Sequence, residues 1–149
     1  MLEPGALAPD FSLTAHTGET IRLSALRGAP VVLFFYPGDH TPVCTKEACA
    51  FRDQHEVFLK TGATVLGVSA DDADSHQRFA ADLKLPFLLL SDPGGGLRKR
   101  YGVPKTLGFL PGRATFLIDR EGVLRHAFAS AFNARAHVRE ALGALESLR

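Results

Sequence analysis

A chain of 149 residues and 16.1 kDa suits one domain spanning residues 1–149. Its 46% apolar and 22% charged residues exclude a disordered, collagenous or coiled-coil chain. A net charge of +1 gives no electrostatic reason for nucleic acid or a membrane surface as partner. The longest apolar run, Val31 to Tyr36, is far short of the ~18 residues a membrane helix needs. Met1 to Gly5 has no basic stretch leading into an apolar one, so a cytoplasmic location is expected. The two cysteines are too few and too close together for the disulfide framework of a small secreted protein.

Phe11 and Leu13 before His16-Thr17-Gly18, and Ile21 and Leu23 after it, alternate as the two arms of an N-terminal hairpin. Val31 to Tyr36 is apolar without alternation, the pattern of a strand covered on both faces. A helix should follow, with Pro42 at its first position and Thr41 as capping hydroxyl. Phe51, His55 and Phe58 carry it to Gly62. Val65 to Ser69 reads as a second buried strand. Asp71, Asp72 and Asp74 then cluster where a helix ending near Leu83 would begin, carboxylates there complementing the helix dipole. Phe87 to Leu90 is a third strand, and Asp92-Pro93 opens a short helix to Tyr101-Gly102, followed by a loop to Gly112. Ala114 to Asp119 and Val123 to Phe128 form a hairpin through Arg120-Glu121-Gly122. Asn133 caps a last helix with core face Val138, Leu142, Leu145 and Leu148. Strands alternating with helices predict an α/β domain with a central mixed sheet flanked by helices on both faces.

Several constellations carry less chemistry than they suggest. Ser69, Asp71 and His76 lack the second glycine of a nucleophile elbow, and a helix start explains them better. The aspartates have neither the glycine nor the distal glutamate of a calcium loop. Gly94-Gly95-Gly96 fits no phosphate-binding loop and reads as flexible chain. Arg98, Lys99, Arg100 and Lys105 read as a solvated helix end and the loop beyond it. The six histidines are scattered, His55 reading as a partly buried packing residue, and no zinc-ligand spacing is present.

Cys44 is different because of where it falls. It lies in the first turn of a helix that follows the carboxyl end of a buried strand, where open α/β sheets place their sites. The free N–H groups and positive dipole end of a helix start favour an anion such as a thiolate. The alternative is a pair of cysteines packing as small hydrophobes.

Pro37, Thr41 and Cys44 in the pattern Pro-x-x-x-Thr-x-x-Cys resemble the signature of the peroxiredoxins. Cys49, five residues beyond Cys44 in Cys-x-x-x-x-Cys, resembles their Q-type, bacterioferritin-comigratory-protein-like branch. The likeness extends over Phe11 to Leu13, Gly67-Val68-Ser69, Phe87 to Asp92, and Arg113 to Asp119. It implies a thioredoxin-like fold with an N-terminal hairpin extension. It also implies that Cys44 attacks the peroxide, that Cys49 resolves the sulfenic acid as an intramolecular disulfide, and that Arg113 stands beside the thiolate. Only the motif, not composition, singles out Arg113. The implied function is reduction of hydrogen peroxide and organic hydroperoxides without metal, haem or other cofactor, by a monomer recycled by thioredoxin or a similar dithiol protein. Val43 departs from the common glycine and is expected to narrow or stiffen the pocket mouth. A redox sensor using the same cysteines is an alternative. So is a general thiol–disulfide oxidoreductase, but that class normally spaces its cysteines two residues apart and lacks Thr41 and Arg113.

Thiol acidity alone does not make a peroxidase. For any thiol, lowering the pKa from about 8.5 to about 6 raises the thiolate fraction at pH 7 roughly 30-fold. The accompanying loss of nucleophilicity removes roughly 13-fold of that. The remaining rate must come from groups that orient the peroxide and stabilise charge on the departing oxygen. Thr41, Arg113 and the Cys44 N–H suit that role, with Pro37 screening the pocket from water.

Overall fold

The computed structural model describes residues 1–148. The predicted N-terminal hairpin forms from β1 (Ser12–Thr14) and β2 (Thr20–Arg22), paired antiparallel. The main sheet contains β3 (Val31–Phe35), β4 (Thr64–Ser69), β5 (Leu88–Ser91), β6 (Ala114–Ile118) and β7 (Leu124–Ala129), in the order β5-β4-β3-β6-β7. β3, β4 and β5 run parallel, while β6 is antiparallel to β3 and to β7. The helices are α1 (Pro42–Asp53), α2 (His55–Lys60), α3 (Ala73–Leu83), α4 (Gly96–Arg100) and α5 (Ala134–Glu146). This is the expected α/β architecture. Among the described residues no helix is long and apolar enough to cross a membrane.

The run without alternation became the middle strand because it has a core on each side. Val31, Leu33 and Phe35 pack with Phe11, Leu23, Leu97 and Tyr101. Val32 and Phe34 pack on the opposite face with Phe51, Phe58, Phe79 and Val138. Each such side chain taken fully out of water contributes about 1.5–3 kcal/mol. The packing is tight at Gly67 in β4, where a Cβ would come within 2.7 Å of the Phe34 ring and 2.8 Å of Leu89. Gly67 is therefore a packing position.

Four local expectations are corrected. The helix from Pro42 to Gly62 is two helices, broken at Gln54, whose ψ of 8° leaves the helical range. The break is invisible to periodicity because Phe51 and Phe58 both still enter the core and their rings meet at 5.7 Å. Asp72 alone of the aspartate cluster caps α3, accepting from Ser75 N at 2.9 Å, while Asp71 turns towards the loop after β3. Gly94 and Gly95 form a turn with φ of 74° and 72°, which glycine adopts without strain, rather than loose chain. Asp92 closes that turn by accepting from the N–H groups of Leu97 and Arg98. Finally, α5 stops at Glu146, so Leu148 lies beyond the helix and is exposed; Val138 and Leu145 are buried as expected.

Candidate active site

The fold brings three chain segments to the carboxyl end of β3: the loop 36–41, the first turn of α1, and the start of β6. Pro42 opens α1 as predicted and Thr41 has the extended backbone of a cap residue. Its hydroxyl does not cap, however; it turns back and donates to the Gly38 carbonyl at 2.9 Å. With no side chain capping α1, the helix start keeps its N–H groups and positive dipole end for a ligand.

Cys44 sits in this turn, 2% exposed, and Arg113, the residue just before β6, is brought against it. Arg113 Nη2 donates to Cys44 Sγ at 3.4 Å, Nη1 to Glu47 Oε1 at 2.7 Å, and Nε to the Ala131 carbonyl at 3.1 Å. A guanidinium fixed on three sides holds its charge against the sulfur without having to reorganise. Pro37, Thr41 and Arg113 share the wall of one cleft of about 230 Å³, completed by Val43, Leu110 and Phe132. Val43 is thus part of the cleft's lining. Cys49 is half-buried farther along the same helix, and both thiols are free.

Two further residues complete the site, and neither was picked out from the sequence. Glu47 lies three residues after Cys44, on the same face of α1, and is fully buried. Burial pushes its carboxyl from an ordinary 4.5 up to about 7, against the pull of Arg113. Its Oε2 has no hydrogen-bond partner among the described residues and lies 3.5 Å from His137 Nδ1. Burial pushes His137 down to about 4, so this imidazole is neutral at pH 7. Its Nε2–H donates to the Ser130 carbonyl at 2.9 Å, leaving Nδ1 to accept from the Thr115 hydroxyl at 2.8 Å. A protonated Glu47 leaves the Arg113 charge to the sulfur; an ionised one competes for it.

The second is Arg98, expected to be solvated. It folds inward over the Phe35 ring, while Lys99, Arg100 and Lys105 are exposed. Nη2 donates to the Tyr36 carbonyl at 2.8 Å and Nη1 to the Gly112 carbonyl. Those carbonyls immediately precede Pro37 and Arg113, so one side chain sets the spacing of the two walls of the site.

On a sheet of this topology, an arginine donating to a thiol at a helix start belongs to the thiol peroxidases of the peroxiredoxin class. Comparison with known proteins makes the assignment: the chain belongs to the AhpC/TSA family, whose sequence pattern matches residues 4–127, and its relatives place it among the Q-type peroxiredoxins. It is 48% identical over 145 residues to the chloroplastic peroxiredoxin Q of Triticum aestivum, covering 97% of this chain and 67% of that one. Peroxidoxin BcpB from Mycobacterium tuberculosis superposes with a TM-score of 0.91 at 38% identity, covering 100% of this chain and 99% of the other. The bacterioferritin comigratory protein of Xanthomonas campestris, whose structures concern alkyl peroxide reduction, superposes with a TM-score of 0.88 at 32% identity over 99% and 98% of the two chains. The chain is accordingly a peroxidase.

Proposed function

We propose that Cys44 is the residue that attacks the peroxide, that Cys49 resolves it, and that thioredoxin or a similar dithiol protein returns the pair to thiols. The Cys44 thiolate attacks the outer oxygen of a hydroperoxide in line, an S–O bond forms as the O–O bond breaks, and the inner oxygen departs with the electron pair and takes a proton to leave as water or an alcohol. Cys44 is left as a sulfenic acid. The Cys49 thiol then attacks that sulfur, forming the Cys44–Cys49 disulfide and releasing water. Two electrons and two protons from the dithiol reductant restore both thiols. Both hydrogen peroxide and organic hydroperoxides are taken as substrates, the apolar wall of Pro37, Val43, Leu110 and Phe132 supporting the organic ones.

The observation that carries this reading is the 3.4 Å bond from Arg113 Nη2 to Cys44 Sγ at the start of α1. Peroxide consumption with thioredoxin, thioredoxin reductase and NADPH tests it. The wild type should turn over many equivalents and Cys44→Ser none. Turnover by Cys44→Ser would refute the assignment, and a wild type that stops after one equivalent would favour a sensor.

A further inference from the structure

Disulfide formation, as proposed above, requires Cys44 to leave the position in which it reacts. Cys44 and Cys49 share α1. Five residues along a regular helix separate Cα atoms by about 8.7 Å, and a disulfide needs no more than about 7 Å. The start of α1 must therefore unwind.

A second buried cluster, used by no step so far, bears on where that unwinding stops. Asp39, five residues before Cys44, has a side chain only 1% exposed. Its Oδ1 accepts from the Tyr36 hydroxyl at 2.6 Å. Its Oδ2 accepts from the Ser75 hydroxyl at 2.8 Å and lies 2.7 Å from His76 Nδ1. Its backbone N–H donates to Asp71 Oδ2 at 2.8 Å, an oxygen also held by the Ser69 hydroxyl at 2.6 Å. His76 is fully buried, its Nε2 lying 3.1 Å from the Leu90 carbonyl. Residues of β3's end, β4, the turn after it, α3 and β5 thus converge on one loop residue. Burial works to raise the Asp39 carboxyl, yet the bonds from His76 and Tyr36 hold it below its ordinary value.

The next residue is the opposite. His40 is exposed and has φ of 62°, in the left-handed region that non-glycine residues rarely adopt. Its contacts are Asp82 Oδ2 at 3.1 Å, at the surface, and the edge of the Phe79 ring at 5.1 Å. A saturated residue followed at once by a strained one marks a hinge.

We infer that Asp39, held by His76, Ser75 and Tyr36, is a positioning residue: the fixed end of residues 40–44, about which Cys44 swings out to meet Cys49 and returns to the same place against Arg113. The pin confines unwinding to the residues after it, so that Pro37 and the strand behind it keep their places through the cycle.

Residue-resolved amide hydrogen exchange on the wild-type chain, reduced and after one equivalent of hydrogen peroxide, tests this without a variant. Peptide mapping first establishes the Cys44–Cys49 disulfide; its failure to form overturns the resolving role of Cys49, and the pin falls with it. Given the disulfide, protection of the first amides bonded within α1, Thr45 to Ala48, should fall at least tenfold, while the Asp39 amide, donating to Asp71, keeps its protection within threefold. Loss of Asp39 protection in step with its neighbours overturns the pin and leaves the peroxidase reading intact. Asp39→Asn adds a readout that a merely structural role would not move. With the His76 pairing weakened, the closed site should be less populated, so the sulfinic-to-disulfide ratio at excess peroxide should fall at least threefold. An unchanged ratio overturns the inference.

Discussion

Two buried polar clusters flank the start of α1, and they differ in how completely they are satisfied. On the Asp39 side both carboxylate oxygens and the backbone N–H are bonded. On the Glu47 side one oxygen of a fully buried carboxyl lacks a hydrogen bond among the described residues, and its ionisation is displaced to about 7. Complete satisfaction makes a fixed point; incomplete satisfaction leaves a group that can change charge beside the chemistry. In this reading the Glu47 cluster sets the field at the sulfur and the Asp39 cluster sets where the sulfur is.

The sharpest way to break that division is to remove the cation. Arg113→Ala should lower the second-order rate of peroxide reduction about 100-fold or more, the scale of losing a preorganised charge-stabilising donor. Stopped-flow rates compared with thiolate titration decide the point: a loss merely proportional to the thiolate fraction would mean that Arg113 acts on acidity alone.

Arg98 tests whether the spacing of the walls matters separately from charge. Arg98→Lys keeps the charge, but a single ammonium cannot reproduce the fork that spans the Tyr36 and Gly112 carbonyls. The peroxide rate should fall about tenfold, equivalent to ~1.4 kcal/mol of activation free energy. Full activity in the lysine variant would reduce Arg98 to a source of charge.

The remaining effect is read in stability rather than in activity, and concerns the unsatisfied cluster. A carboxyl raised from 4.5 to about 7 on folding contributes stability that is present below pH 4.5 and lost as the pH rises through 7. An imidazole lowered from 6.5 to about 4 contributes stability that is present above 6.5 and lost as the pH falls through 4. Glu47 and His137 therefore oppose each other between about pH 4.5 and 6.5, flattening the wild-type profile. Glu47→Gln leaves only the histidine slope, and stability should rise across that window by a few kcal/mol more than in the wild type. Urea midpoints at several pH values measure it; parallel profiles would show that Glu47 is not displaced.

The fold was largely legible because its signals are local. An unalternating run such as Val31 to Tyr36 has to lie under two cores, and Pro42 after it has to start a helix. Cys44 was legible for the same reason, since its place at a helix start follows from its neighbours. Arg113 was not, because nothing in its surroundings separates it from the other arginines and only the resemblance named it. Glu47 offered a signal in hindsight: a carboxylate one turn from Cys44, on the face that must be buried. Arg98 and Asp71 offered less, because an exposed and an inward-turned charge look alike until the partner is known. Their partners lie 62 and 32 residues away. The capping role expected of Thr41 failed at shorter range, since its hydroxyl had two bonding choices within four residues and took the Gly38 carbonyl.

The central claim is that the sulfur beside Arg113 is the atom that takes the peroxide oxygen. Treating Cys49→Ser with one equivalent of hydroperoxide, trapping sulfenic acid with dimedone and locating the adduct by mass spectrometry tests this most directly. The account predicts an adduct on Cys44, and without the trap, at excess hydroperoxide, a larger share of Cys44 sulfinic acid than in the wild type. No adduct at Cys44 while peroxide is still consumed would contradict it.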